Sequence, residues 1–161
     1  MKKLIICVLA FAAATNGFAG TKKDPNHVNR SLHTASYIHS LVVNGNTSVV
    51  LVNEVSKQIS IEGSEDMINQ VEVKEENGQL TITNTSKKGR TAAIVYVPAA
   101  LISHIHMNGN GAVSTMETLD NKNIDVLVNG DCKLWIKTYG TVTVDAMPDF
   151  DYTYVSKKIK P

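Results

Sequence analysis

The stretch His104-Ile105-His106-Met107-Asn108-Gly109-Asn110-Gly111-Ala112-Val113 runs an alternating strand pattern into an Asn-Gly turn and out into a second strand. Twenty-one residues later, Asp125-Val126-Leu127-Val128-Asn129-Gly130-Asp131-Cys132-Lys133-Leu134 repeats the apolar positions and the Asn-Gly pair. A looser copy, Leu41-Val42-Val43-Asn44-Gly45, stands upstream. A recurrence of about 20 residues is typical of stacked coils, each of which buries its apolar side only against its neighbours. The repeat therefore predicts that Ile105 lies beside Val126, and Met107 beside Val128.

The rest of the chain also favours short strands, because β-branched segments alternate with polar turns. Asn77-Gly78 predicts a hairpin, since this pair readily adopts the two positive φ angles of a tight two-residue turn. Pro98 should close a strand, because proline cannot donate to a ladder. Only residues 64–68 favour a helical turn, with Ser64 as its N-cap. The predicted strands are 37–43, 48–52, 58–62, 69–74, 79–84, 93–97, 103–107, 112–116, 124–128, 132–137, 141–145 and 152–155.

The N-terminus has the features of a secretory signal peptide. Met1-Lys2-Lys3 is basic, residues 4–14 are apolar, and Gly17-Phe18-Ala19 offers small residues at a cleavage site. The apolar run is shorter than the roughly 20 residues that span a membrane. We therefore expect residues 1–19 to be removed, residues 20–34 to be a flexible tail, and residues 35–161 to be one β-solenoid domain in the periplasm or outside the cell. No membrane span is expected after cleavage.

Composition narrows the classes of partner. The chain has 16 basic and 15 acidic residues, and loss of Lys2 and Lys3 with the signal leaves 14 basic and 15 acidic residues. This balance argues against nucleic acid, which usually requires a basic surface. Cys132 would be the one thiol left, so an internal disulfide framework is excluded. No motif calls for a cofactor.

Several segments, in order, resemble the putative auto-transporter adhesin, head GIN domain family. They are Tyr37-x-x-x-Leu41-x-Val43-x-Gly45, Val49-x-Leu51-Val52, Ile59-x-Ile61-Glu62-Gly63, Asn77-Gly78-x-Leu80-x-Ile82, Tyr96-Val97-Pro98 and Ile105-x-x-x-Gly109-x-Gly111-x-Val113. The resemblance covers roughly residues 35–144. It implies a fold similar to a right-handed single-stranded β-helix and an exported domain of the Bacteroidetes type. It brings no catalytic residues.

Two sets of polar residues are candidates for chemistry. His104 and His106 leave the same face of one strand, a spacing that can present two imidazoles to a metal, although a third ligand is missing locally. An outward polar face is the alternative. The carboxylate pairs Glu65-Asp66 and Glu75-Glu76, together with Asp149-x-Asp151, are candidates for a polysaccharide-cleaving enzyme. Adjacent carboxylates point to opposite sides of a strand, which favours solvated surface.

A third candidate lies on the strand after the second Asn-Gly turn. Lys133, Trp135 and Lys137 have the parity opposite to Leu134 and Ile136, so the indole should stand on the surface between two cations. An exposed indole can stack on a sugar ring or pack against a partner protein. Alternatively, a C-terminal strand carrying Tyr152 and Tyr154 covers it. Cys132 shares the inward parity and is predicted to be a small buried residue.

These observations favour a non-enzymatic, exported binding or adhesion module of the cell envelope. The partner would be a glycan or a cell-surface protein. Two alternatives stay open: a polysaccharide-active enzyme on the same scaffold, and a purely structural envelope protein. Clustered carboxylates in a cleft would favour the enzyme, whereas a flat face of Trp, Tyr, Asn and Thr would favour binding. The oligomeric state is not predicted.

Overall fold

The computed structural model describes residues 27–85, 93–121, 123–147 and 152–158. Strands dominate these ranges, which confirms the all-β class, and the helix found within them is a single turn. The elements are β1 (His27–His33), β2 (Ser40–Gly45), β3 (Ser48–Val52), β4 (Gln58–Ser64), α1 (Glu65–Ile68), β5 (Val71–Glu76), β6 (Gln79–Asn84), β7 (Ile94–Pro98), β8 (His104–Asn108), β9 (Ala112–Thr115), β10 (Asn123–Asn129), β11 (Cys132–Thr138), β12 (Thr141–Ala146) and β13 (Tyr152–Lys158).

The strands form two open, mixed sheets. Sheet A has the order β1-β4-β7-β3-β9-β11-β13, and sheet B has the order β12-β10-β8-β2-β6-β5. In sheet A, neighbouring strands are parallel in the series β7-β3-β9-β11-β13, and in sheet B they are parallel in the series β12-β10-β8-β2-β6. Strands β1 and β4 in sheet A and β5 in sheet B pair with their neighbours in the antiparallel direction. From β7 onward, each strand lies in the sheet opposite to the strand before it.

The register confirms the 21-residue repeat. Strands β8 and β10 pair in parallel, with Ile105 opposite Val126 and Met107 opposite Val128. The looser copy joins the same ladder, because Leu41 lies opposite Ile105 across the β2–β8 pair. The three copies of the repeat are therefore neighbouring strands of sheet B.

One apolar core lies between the sheets. Alternate residues of the strands point inward, as the period-2 pattern predicts, and most of them are fully buried. Leu41, Leu80 and Ile105 from sheet B join Val49 and Leu134 from sheet A in a single cluster. Their neighbours along each strand face outward, so each sheet has an outer face that is free to carry function.

Asparagine side chains stack along the Asn-Gly turns. Asn108 Nδ2 donates to Asn44 Oδ1 at 3.0 Å, and Asn129 Nδ2 donates to Asn108 Oδ1 at 3.4 Å. Asn44 Nδ2 continues the ladder by donating to Thr83 Oγ1 at 3.2 Å. Each rung joins neighbouring strands, so the ladder holds the strand ends in register.

Glycine is required where the turns stack. Gly109 and Gly130 have φ angles of +119° and +148°, which residues with a Cβ rarely adopt. A Cβ on Gly130 would overlap the backbone of Gly109, and a Cβ on Gly109 would lie 3.0 Å from the Cα of Gly45. The turns therefore approach one another at backbone contact, as expected if they are equivalent.

Two local predictions are also confirmed. Asn77 and Gly78 have φ angles of 52° and 79°, and they connect β5 to β6 as an antiparallel hairpin. The short helix α1 begins after Ser64, which occupies the N-cap position but makes no side-chain cap hydrogen bond.

The N-terminal region differs from the prediction in one respect. Residues 27–33, expected within a flexible tail, form β1 and pair with β4. Arg30 explains part of this order, because its guanidinium donates to the carbonyl oxygens of Ile68 and Val71 at 3.4 and 3.1 Å. Leu32 packs partly against the core. The predicted signal peptide, residues 1–19, lies outside the described residues.

Candidate ligand-binding surface

The outer face of sheet A carries the lysine–tryptophan segment predicted from parity. Trp135 is 41% exposed, whereas its chain neighbours Leu134 and Ile136 are fully buried. Lys133 and Lys137 are exposed on the same side. Strand β13 extends sheet A beside β11. The outward position of Trp135 is therefore confirmed, and its role in binding stays a prediction.

Trp135 belongs to a row of paired residues that crosses sheet A. It lies opposite Ser114 on β9, which lies opposite Val50 on β3. Val50 in turn lies opposite Tyr96 on β7, and Tyr96 lies opposite Ser60 on β4. Trp135 and Tyr96 are the two aromatic residues of this row. They stand three strand spacings apart, or about 14 Å between backbones.

A depression of about 310 Å³ lies beside Tyr96 on this outer face. We call it the Tyr96 depression. Tyr96, Val52 and the buried Pro98 are its apolar lining residues, and Gln58, Ser60 and Glu54 supply amide, hydroxyl and carboxylate groups. Its lining is mainly polar, whereas most small-molecule sites are lined predominantly by apolar side chains.

Hydrogen bonds fix the ring of Tyr96. Its hydroxyl donates to Glu62 Oε2 at 3.0 Å, while Asn29 Nδ2 donates to Glu62 Oε1 at 3.2 Å. Burial, followed by the hydrogen bond and the negative charge of Glu62, raises the pKa of Tyr96 above its ordinary value of 10.0. The phenol is therefore neutral at physiological pH and acts as a hydrogen-bond donor.

Sequence reasoning missed the Tyr96 depression. The alternation of Tyr96 with Val95 and Val97 was sufficient to place the ring on the outer face, because both valines are buried. Nothing in the local sequence indicated that β4 lies beside β7. That antiparallel pairing is what brings Gln58 and Ser60 to the ring.

The two ends of the row differ in charge. Within the described part of the chain, Lys133 and Lys137 form no ion pair. The Tyr96 end carries the carboxylates of Glu54 and Glu62. The surface is therefore cationic beside Trp135 and acidic beside Tyr96.

The outer face of sheet B carries the two predicted histidines. His104 neighbours Asp125 and His106 neighbours Leu127 across the β8–β10 pair. The Nδ1 atom of His104 lies 3.7 Å from Asp125 Oδ2, and both side chains are more than half exposed. Among the described residues, no three His, Cys, Asp or Glu side chains are placed to hold a metal ion. The arrangement is a solvent-exposed contact between an imidazole and a carboxylate.

Three carboxylates of the described pairs, Glu75, Glu65 and Asp66, have positions in which they stabilise the fold. Glu75 accepts hydrogen bonds from the backbone amides of Ala35 and Gly78, at 3.1 and 3.2 Å. Glu65 and Asp66 occupy the first turn of α1, where negative charge is favourable. Asp149 and Asp151 lie outside the described residues.

Cys132 is buried, as predicted. Its thiol donates to the carbonyl oxygen of Gly109 at 3.2 Å. Burial, and secondarily the charge of Asp131, raises the pKa of this thiol above its ordinary value. A protonated, buried thiol is a poor nucleophile.

Comparison with known proteins relates the chain to a family. The profile of the family described as putative auto-transporter adhesin, head GIN domain, matches residues 39–146. No curated protein matches the chain. In the described part of the chain, no helix has the length and apolar character needed to cross a membrane.

Solved structures share the fold at low sequence identity. A putative adhesin from Parabacteroides merdae superposes with a TM-score of 0.61 at 13% identity, covering 81% of this chain and 57% of its own. A putative adhesin from Bacteroides fragilis gives 0.54 at 14%, with 77% and 62% covered. A protein described as a putative lipid binding protein from Parabacteroides distasonis gives 0.52 at 14%, with 81% and 61% covered. The chain thus spans less than two thirds of each of these proteins.

Proposed function

This chain belongs to the putative auto-transporter adhesin, head GIN domain family, and we propose that it is a non-enzymatic, exported binding module of the cell envelope. Its ligand would be a glycan or a cell-surface protein. The adhesin names of the solved structures with this fold support a role in binding. The proposed location, periplasmic or extracellular, rests on the predicted signal peptide. Detection by mass spectrometry of a mature chain that begins at Gly20 would support it directly.

We also propose that the parallel part of the two sheets is a short β-helix of the right-handed, single-stranded type. The alternation of the chain between sheets, the 21-residue register and the asparagine ladder support this assignment. In such a scaffold the outer faces are flat and built from short, repeated strands. A flat face is suited to extended ligands such as glycan chains or the surface of another protein.

The exposure of Trp135 carries the functional proposal. An indole is costly to leave in water, and large aromatic residues are enriched at the centres of binding surfaces. Here the ring stands between Lys133 and Lys137, for which the described residues provide no ion pair. The segment offers a stacking surface with a cation on either side along the strand.

A glycan array and a pull-down from surface extracts, both with the purified protein, test the proposal. Trp135→Ala should weaken binding to the ligand that is found. Leu127→Ala is the matched control, because Leu127 is exposed to a similar extent, 38%, on the outer face of sheet B. Equal affinities for Trp135→Ala and the unmodified protein would contradict the assignment of this surface.

An activity assay tests the alternative that the protein is a polysaccharide-active enzyme. Polysaccharides incubated with the protein should show neither new reducing ends nor the absorbance of unsaturated sugars. The first signal would reveal hydrolysis and the second β-elimination. Either one, if it persisted in a highly purified preparation, would overturn the non-enzymatic proposal.

A further inference from the structure

We propose that the Tyr96 depression is a second sugar-binding subsite, and that one polysaccharide chain lies across the strands of sheet A to contact both Tyr96 and Trp135. This inference rests on the proposed function and names its ligand class. It assigns a second binding site, the direction in which the polysaccharide lies across the strands, and the minimum length of that polysaccharide.

The chemistry of the depression matches a neutral sugar ring. A pyranose has an apolar face of C–H groups and an edge of hydroxyls. The partly exposed ring of Tyr96 and the side chain of Val52 offer apolar surface, while Gln58 and Ser60 can donate to and accept from hydroxyls. The carboxylate of Glu54 accepts from hydroxyls as well, and its charge disfavours an anionic substituent at this end.

The aromatic ring is held in place before a ligand arrives. Its hydroxyl is bonded to Glu62, which is itself bonded to Asn29, so the side chain has little rotational freedom to lose. Binding to an ordered side chain costs less entropy than binding to a mobile one. The depression therefore has the character of a preorganised platform.

The register of the strands in sheet A defines the direction in which the polysaccharide would lie. Tyr96, Val50, Ser114 and Trp135 are successive partners across four neighbouring strands. Between the aromatic residues lie only an isopropyl group and a hydroxymethyl group, which are short side chains that do not obstruct an extended ligand. A chain that joins the two rings must cover about 14 Å, so a disaccharide is too short and a hexasaccharide is long enough.

The sequence provides its own reporter for this geometry, because Trp135 is the only tryptophan. Its fluorescence can be titrated with a panel of neutral hexasaccharides (cello-, xylo-, manno- and chitohexaose) and with the matching disaccharides. At least one hexasaccharide should change the emission. Tyr96→Ala should then raise its midpoint by roughly tenfold, the effect of one lost aromatic contact. The midpoint of the disaccharide, which cannot reach Tyr96 from Trp135, should be unchanged.

Two further variants separate binding from folding. Tyr96→Phe keeps the ring and should stay within about threefold of the unmodified protein, well below a lost aromatic contact. Gln58→Ala, at an exposed position in the depression, should weaken hexasaccharide binding without changing the urea midpoint. Unchanged hexasaccharide midpoints in both Tyr96→Ala and Gln58→Ala would overturn the inference, as would an equal shift for hexasaccharide and disaccharide.

Failure of the inference can be told apart from failure of the proposed function. If no hexasaccharide in the panel changes the emission, the second subsite is refuted. A ligand from the array or the pull-down that still depends on Trp135 would leave the binding module intact. If no ligand depends on Trp135, both proposals fall together.

Discussion

Replacing Gly130 by alanine should destabilise the protein strongly, because this residue stacks directly on the turn before it. Its φ of +148° lies in a region that is essentially restricted to glycine, which costs an alanine about 1–3 kcal/mol. The added Cβ would also overlap the backbone of Gly109. Backbone cannot rotate away as a side chain does, so overpacking adds roughly another 1–3 kcal/mol.

The sum, about 2–6 kcal/mol, is a large share of the 5–15 kcal/mol that usually separates folded from unfolded protein. Equilibrium unfolding in urea measures it. Gly63→Ala is the matched control, since Gly63 lacks a left-handed φ and its added Cβ would meet atoms no closer than 3.4 Å. That variant should stay within about 1 kcal/mol of the unmodified protein. A similarly small change in Gly130→Ala would refute the close stacking of the Asn-Gly turns.

Three other variants test separate features of the chain. Asn108→Ala removes two rungs of the asparagine ladder and should cost about 1–3 kcal/mol, whereas Asn129→Ala removes one and should cost about half as much by urea unfolding. Trp135→Ala should change stability by no more than about 0.5 kcal/mol, while Leu134→Ala, one residue away in the core, should cost about 2–5 kcal/mol. Burial raises the pKa of Cys132, so the stability gained by burying the neutral thiol is complete below its ordinary value of 9.0 and is lost as pH rises through the raised value. Urea midpoints measured across that range should therefore fall more in the unmodified protein than in Cys132→Ala.

The parallel register was predictable because two independent signals agree. The apolar alternation decides which side of a strand faces the core, and a one-residue slip would expose the whole apolar set. The Asn-Gly pairs mark where each strand ends. Together these two signals align Ile105 with Val126 from the residue pattern alone, and the β8–β10 pairing has that alignment.

Strand β1, at the antiparallel end of sheet A, was harder to predict. Strand β1 contains His27, Asn29 and Ser31 among its seven residues, a polar composition typical of loops. Its order depends on tertiary contacts, namely the pairing with β4 and the hydrogen bonds of Arg30 to Ile68 and Val71. Such contacts join residues 25 to 41 positions apart and leave no periodic signal in the sequence.

The same limit applies to the candidate site. Parity placed Trp135 on the surface, because only the residues next to it in sequence were needed. The Tyr96 depression required knowledge of which strand lies beside β7, and β4 reaches that position by an antiparallel pairing outside the repeat. Local sequence patterns therefore predicted the outward position of Trp135, which lies within the repeat, but did not predict the Tyr96 depression, which depends on a strand outside the repeat.

The Asn-Gly turns link the fold to the proposed binding surface. The three stacked turns, at Gly45, Gly109 and Gly130, move the chain from sheet B to sheet A and so determine which residues of the next strand face outward. The turn at Gly130 precedes β11, where Cys132 and Leu134 are buried and Trp135 is exposed. A shift of one residue there would bury the indole and expose the core residues. The glycine that permits close stacking of the turns thus also fixes the aromatic residue on the outer face, in line with Ser114, Val50 and Tyr96.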